Sequence, residues 1–518
     1  MSKKNNYILL FLLISFSIYC SLTIGESWDE RWHLISGKNT FNYIFSLGNN
    51  NKEYLFREFY SPMYWTWLYF VTEMFPSIYQ IKISHLLNLF LSLGTIFGTG
   101  KLCRELFNKQ VGNISILLLF FYPIFFGNMA FNSSDTVHAF THVWITYLLI
   151  RYIKKQYSDS KTSSYVIYLG FLTALSTGIQ LGFLGSLIPI FIFILMEIFL
   201  FKKIVTKIFS IKKLAYDFVK CILIFYTILV VFWIDVHGNI LVNSFDIFVE
   251  FMSNNFWTGY PYNLVNGNYF ESSNVPSSYI ILNLIFKSPE YFLMLYIVFV
   301  FLIIKDTIFF EKKFNFIKYK LILLINILIF PTFLIMLIPF PIYDGMRLFL
   351  WSIPYYSIIP SLVIFYLLNN IQKKIPKYTL VFLSLFIVYF LFNFFSLTPY
   401  QYTYLNRLNG INEIKYKKFE NDYTGSSLHE LIQEIDFDKN DKISVATCGV
   451  SLDHVKYFIK KRGYININFV SSETADYIIM TNRVSNADGL INCFDKFSGG
   501  NIFKVERNGL ILSVVRKI

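Results

Sequence analysis

Apolar runs about as long as a bilayer is thick recur along this chain, and short basic clusters stand in alternate gaps between them. A spanning helix needs about 20 predominantly apolar residues, because each helical residue advances about 1.5 Å through a hydrocarbon core about 30 Å thick. By that length rule about eleven runs qualify: 7–24, 83–102, 111–127, 135–152, 163–180, 182–201, 214–235, 290–305, 319–339, 350–369 and 378–397. The Thr177-Gly178 pair divides the long 163–201 stretch into two helices. Composition agrees, since only 15% of the 518 residues are charged, against about a quarter in soluble domains. The predicted fold class is a polytopic α-helical membrane protein.

Lys and Arg mark the cytoplasmic ends of membrane helices. With the N-terminus inside, the inner turns contain Lys101, Arg104 and Lys109, then Arg151, Lys154 and Lys155, then Lys202, Lys203, Lys207, Lys212 and Lys213. Further along come Lys305, Lys312, Lys313, Lys318 and Lys320, then Lys373, Lys374 and Lys377. Opposite loops are poor in basic residues: none in 128–134, Lys287 alone in 236–289 and Arg347 alone in 340–349. This alternation places 25–82, 128–134, 236–289, 340–349 and the tail from about 398 outside. It also reads the net charge of +13 as a topology signal, so no nucleic-acid partner is expected. The basic, apolar N-terminus has no small-x-small cleavage site and reads as a retained anchor.

The tail changes character. SSLHELIQEI offers a Ser427…Glu430 capping box at the start of an amphipathic helix. KISVAT and DYIIM read as short strands, SLDHVKYFIKKR as a second helix, and FKVERNGLILSVV as a hairpin about Asn508-Gly509. The expected organisation is a transmembrane module over 1–397 and an extracytoplasmic α/β domain over 398–518. The five cysteines form no CxxC motif; Cys448 and Cys493 are positioned to pair if the tail is extracytoplasmic.

Transporters place ionisable groups within their spans. Here the spans are almost free of Asp and Glu, whereas the outer loops hold Asp29, Glu30, Glu53, Glu58, Asp135, Asp235, Asp344 and Arg347. Asp29 and Glu30 serve either as a solvated helix-end anchor or as catalytic carboxylates. Asp135 is either an N-terminal cap or a site acid. Arg347 either pairs with Asp344 or binds an anion, and a guanidinium suits a lipid phosphate. His138 and His142 share a helix face at metal-ligand spacing, but no HExxH glutamate accompanies them.

In order along the chain, WDERWH, GNMAFNSSD, ESSNVPSSYIILNLIFKSPE, YDGMRLFLWSIP, TPYQYTYLNRLNG and FENDYTG resemble the motifs of the GT-C superfamily of integral-membrane glycosyltransferases. Within it they are most similar to the protein O-mannosyltransferase-like group (glycosyltransferase family 39) and its bacterial relatives. The resemblance runs from residue 25 to about 430 and is carried best by YDGMR and the PYQYTYLN…FENDYTG pair. The chain departs from it at Ser134, where relatives often have Lys, at Leu348 and Thr398, where they have His, and at Thr424, where they have Trp. LSTGIQLG also lacks an Arg that relatives often carry.

The resemblance implies inverting transfer of a sugar from a polyprenyl-phosphate donor at the outer membrane face, mannosyltransferase-like, to an acceptor hydroxyl on a protein, lipid or glycan. It implies Asp29 as general base, Glu30 positioning the acceptor or the loop, and Asp135 orienting the site. Arg347 would hold the donor phosphate, with Asp344 fixing it. A divalent metal ion between Asp29 and Asp135 is left open, because members of the superfamily differ in metal use. The expected location is a bacterial inner membrane, with the N-terminus cytoplasmic and the tail periplasmic. A lipid-linked sugar flippase and a non-catalytic envelope-assembly scaffold are the competing readings.

Overall fold

A computed structural model describes residues 3–49, 60–157, 162–253, 259–337, 340–370, 377–438, 441–484 and 490–518. Glu53 and Glu58 of the first outer loop, and the basic turn at Lys373 and Lys374, lie outside the described residues.

Each predicted apolar run comes out helical, from Lys3–Thr23 through Gln80–Leu106, Asp135–Lys155 and Thr162–Ile179 to Lys377–Ser396. Among the described residues, five helices are long and apolar enough to cross a membrane, or seven if two bent pairs each count as one span. Fewer runs meet that measure than the length rule alone suggests, and two of them show why. Pro123 restarts the chain after Lys109–Phe120 as a separate helix, Pro123–Asn128. Asp135–Lys155 buries Thr136, His138, Thr141, His142 and Thr146 against neighbouring helices, which lowers its hydropathy without exposing it to lipid. The break after Thr177-Gly178 forms as expected, between Ile179 and Phe183. Gly178 is needed there because its carbonyl accepts from Ser61 N at 2.7 Å and a Cβ would collide with the Ser61 carbonyl.

The loops that the basic-residue pattern assigns to the outer face are more structured than the apolar pattern predicts. Residues 25–82 carry two packed helices, Trp28–Phe45 and Met63–Thr72. The long loop carries the helix Ile240–Met252, a hairpin of β1 (Tyr262–Val265) and β2 (Asn268–Glu271), and the helix Tyr279–Lys287.

In the tail, β3 (Ile443–Cys448), β4 (Ile467–Phe469), β5 (Tyr477–Thr481), β6 (Asn501–Arg507) and β7 (Leu510–Lys517) form one sheet in the order β4-β3-β5-β7-β6. The helix Leu452–Lys461 links the parallel neighbours β3 and β4. Asn508 and Gly509 both take positive φ, as the tight β6–β7 turn requires. Cys448 and Cys493 are disulfide-bonded, with Cα atoms 5.8 Å apart.

The Ser427…Glu430 capping box does not form, although the helix it announced does, over Leu428–Glu434. The Ser427 hydroxyl donates to Asp422 at 2.6 Å, and Glu430 accepts from Arg507 at 2.7 Å and from Tyr400 at 2.8 Å. Charged partners, Asp422 five residues before Ser427 and Arg507 from the far hairpin, outcompete the local backbone amide. Residues 398–434 thread between the bundle and the sheet. A Cβ at Gly127 would strike the Tyr402 backbone, and one at Gly25 the Ser426 carbonyl. These two glycines let the tail lie directly on the bundle.

Candidate active site

Ser27 opens the helix Trp28–Phe45, and its amide donates to Glu30 Oε2 at 2.7 Å. That bond turns Glu30 inward, where its other oxygen meets His85 Nε2 at 2.7 Å. Asp29, one position earlier, therefore points the other way. Its side chain is 30% exposed, against 3% for Glu30. Two adjacent acids thus serve different surroundings.

Asp135 begins the helix Asp135–Lys155, and Asn132 orients it by donating to Oδ2 at 2.9 Å and accepting from the Asp135 amide at 3.0 Å. Asp344 and Gly345 both adopt left-handed backbone, φ +59° and +65°, a conformation that Asp tolerates better than most side chains. A Cβ at 345 would crowd the Lys287 ammonium. This turn aims Asp344 and Arg347 at the same point.

There the Arg347 guanidinium joins three carboxylates. Its Nε donates to Asp135 Oδ2 at 2.9 Å, its Nη1 to Asp344 Oδ2 at 3.1 Å and its Nη2 to Asp29 Oδ2. The structure therefore brings together four of the five predicted site residues, and Glu30 stands behind them. Arg347 pairs with Asp344, and with two further acids that the local sequence does not suggest.

A second guanidinium, Arg483, lies beneath Asp344, with Nη2 2.5 Å from Oδ1 and Nε 3.7 Å from Glu420. Lys287 is also buried against this group. Burial lowers its pKa to about 8, with the charges of Glu420 and Asp344 opposing. Burial pushes Glu420 up to about 7, against the attraction of Arg483. At Asp29 burial favours the neutral acid, but Arg347 and then His33 outweigh it and hold the carboxyl below its ordinary value. His33 stacks on Trp65 at 4.2 Å and bonds Ser133 at 2.9 Å; burial takes its pKa down to about 4, so it is neutral near pH 7. The site holds an ionised carboxylate on a partly open surface beside fixed cations, an arrangement able to accept a proton and to stabilise an anion.

Asp29 and Asp135 both direct an oxygen at Arg347, so the cation position between them is taken by a guanidinium. Among the described residues no three His, Cys, Asp or Glu side chains converge as metal ligands. His138 bonds Ser176 at 2.9 Å, and His142 bonds Tyr355 at 2.7 Å and the Ser186 carbonyl at 3.1 Å. Both are hydrogen-bonded core residues.

Sequence reasoning missed Arg483, Lys287, His33 and Glu420 as members of this group. Glu420 lies inside the quoted FENDYTG motif, a signal that was available. Arg483, in TNRVSN after β5, has no local signal, since its partner Asp344 is 139 residues away.

No protein-family model matches the chain, and no curated protein matches it. Among solved structures it is similar to ArnT from Cupriavidus metallidurans bound to undecaprenyl phosphate. That match has a TM-score of 0.51 and 10% identity, and it covers 99% of this chain and 98% of that one. It is also similar to the archaeal oligosaccharyltransferase AglB from Archaeoglobus fulgidus in complex with an inhibitory peptide and a dolichol-phosphate. There the TM-score is 0.49 at 10% identity, over 93% of this chain and 70% of that one. The end-to-end match to ArnT shows the fold: this chain shares its architecture, a bundle with several helices long and apolar enough to cross a membrane and a small C-terminal α/β sheet domain.

Proposed function

We propose that this chain transfers a sugar, with inversion, from a polyprenyl-phosphate donor to an acceptor hydroxyl at the membrane surface. The observation that carries the reading is the convergence of Asp29, Asp135 and Asp344 on Arg347, at helix ends that the basic-residue pattern places on one side of the membrane. The GT-C fold and the undecaprenyl phosphate bound to ArnT support a lipid-linked donor. The motif resemblance favours a mannosyltransferase-like enzyme.

In the step itself the acceptor O–H gives its proton to the Asp29 carboxylate as the acceptor oxygen bonds to the anomeric carbon. The bond from that carbon to the phosphate oxygen breaks on the opposite face, and the electron pair leaves with the lipid phosphate. Arg347, backed by Lys287, offsets the charge that develops there. A phosphate competing for the Arg347 guanidinium releases Asp29 Oδ2, and a carboxylate freed from its cation is a stronger base. Donor binding thus prepares the base. Asp135 and Asp344 keep the guanidinium in place throughout. Each role is filled by a side chain of this protein.

An extracytoplasmic site accords with the Cys448–Cys493 disulfide, because such bonds persist in oxidising compartments. The orientation is tested by labelling single cysteines at two exposed positions from outside intact cells: Lys38→Cys should react and Glu311→Cys should not. The reaction is tested by offering the purified chain polyprenyl-phosphate mannose, glucose and aminoarabinose with native acceptors. Acceptor-dependent release of free polyprenyl phosphate is expected with one of these donors, and its absence with all three would count against the reading.

A further inference from the structure

Arg483 reaches the site from the C-terminal sheet, although it has no place in the motif resemblance. Its side chain is fully buried. Its Nη2 donates to Asp344 Oδ1 and its Nη1 to the Tyr423 carbonyl at 2.7 Å, Nε lies 3.7 Å from Glu420 without a hydrogen bond, and Cζ is 3.5 Å from the Tyr260 ring centre and 4.6 Å from that of Trp28. Trp28 is the residue next to Asp29.

We infer that Arg483 is a positioning residue of the transfer site, holding Asp344 so that Asp344 in turn holds Arg347 against Asp29. Asp344 divides its two oxygens between two guanidiniums, Oδ1 to Arg483 and Oδ2 to Arg347. While Oδ1 is anchored, Asp344 meets Arg347 through one oxygen only, and the remaining nitrogens of Arg347 stay on Asp29 and Asp135. Without that anchor Asp344 is free to take Arg347 in a two-oxygen fork, which draws the guanidinium away from the place beside Asp29 where it would meet the donor phosphate.

The sheet delivers Arg483 with little freedom. Before it, Asn482 accepts from the Asn421 amide at 2.8 Å and donates to the Phe419 carbonyl at 2.7 Å. The Arg483 carbonyl accepts from the amide of Cys493 at 2.9 Å, and Cys493 is tied to the end of β3 through Cys448. Gly449, at φ +67°, leaves room for this contact; a Cβ there would approach the Arg483 Cβ to 2.9 Å. The C-terminal sheet thus completes the site from outside the bundle.

Arg483 could instead be a plain docking contact, and Arg507 provides the comparison. Arg507 also joins the sheet to neighbouring segments, through Glu430 at 2.7 Å and the Thr398 carbonyl at 2.8 Å, but it lies outside the cluster. The inference rests on the transferase reading, so its test includes a readout that needs no turnover. Purified full-length chains carrying Arg483→Met, Arg483→Lys, Asp344→Asn, the Arg483→Met/Asp344→Asn pair, and Arg507→Met are compared. Phenylglyoxal modification of Arg347 is followed by peptide mass spectrometry, alongside sugar transfer.

Arg483→Met should speed Arg347 modification several-fold and lower kcat by about thirtyfold, Arg483→Lys should recover part of both, and Arg507→Met should change neither. The double variant should be no slower than the worse single one, because both act through one carboxylate. If Arg483→Met does not accumulate, Arg483→Lys and Asp344→Asn carry the same comparison. Arg347 as well protected in the Arg483 variants as in the wild type, or losses that multiply in the double variant, would overturn the inference. The expected modification pattern without transfer by any chain would support the positioning role and remove the transferase reading.

Discussion

Two ionic groups grow from one helical turn and show what burial does to neighbouring acids. On one side Asp29 meets Arg347 together with Asp135 and Asp344, on a surface still open to a ligand. On the other, Glu30 closes on His85 and on the Ser27 amide, and His85 Nδ1 bonds the Ser21 carbonyl at 2.9 Å. The first group concentrates charge that a substrate can exchange with. The second leaves no such opening and fixes the helix that presents Asp29. In the proposed mechanism, the face of a single turn that each carboxylate occupies decides its role.

The widest separation between the two groups should come from Arg347→Ala. It leaves three carboxylates facing one another without their shared cation, a change that costs about 3–5 kcal/mol when a buried pair loses one member. Transfer should vanish and thermal stability should fall. Arg347→Lys should restore stability in part and transfer hardly at all, because a single ammonium cannot reproduce a three-way fork. Full activity with Lys would dissolve the distinction between the groups. Glu30→Gln should act in the opposite sense, costing about 1–3 kcal/mol of stability through the lost charged hydrogen bonds while lowering kcat only several-fold. Calorimetry beside an initial-rate assay separates these outcomes.

A smaller effect sharpens the comparison through pH. Burial, and next the charge of Glu30, push Glu26 up to about 7 from an ordinary 4.5. The folded state therefore binds this proton more tightly than the unfolded chain does. Stability should decline as pH rises from about 4.5 to about 7 and then level off, for this group alone. Asp29 runs the other way: its carboxyl is held below its ordinary value, so its contribution is present at neutral pH and is lost only as pH falls into the acid range. Glu26→Gln should flatten the decline between pH 5 and pH 8 in thermal melts. An unchanged slope would place the responsible group elsewhere.

The parts of the fold that were legible from sequence are those set by local pattern. The apolar runs became helices, Asn508-Gly509 became a hairpin turn, and KISVAT and DYIIM became β3 and β5. Local pattern failed where distant partners decide. Met63–Thr72 and Trp28–Phe45 are helices inside a loop region, stabilised by packing on each other and on the bundle rather than by a long apolar stripe. Ser427 and Glu430 have the spacing of a capping box and spend their hydrogen bonds on Asp422 and Arg507. At the site, the spacing suggested the Arg347–Asp344 pair and the motif resemblance grouped both with Asp29 and Asp135, but that one guanidinium gathers all three acids is a property of the tertiary fold. Arg483 is the extreme case, since nothing in the residues around it marks it.

The central claim is that Asp29 is the base, and the most direct measurement is sugar transfer by the wild-type chain and by Asp29→Asn in membranes matched for expression. Each would be supplied with radiolabelled polyprenyl-phosphate mannose, glucose and aminoarabinose in the presence of native acceptors. With Asp29 as base, the wild type should transfer from one donor and the variant should lose at least about a hundredfold, the scale of a missing general base. Equal transfer by both chains would contradict that claim and reduce Asp29 to a helix-end anchor.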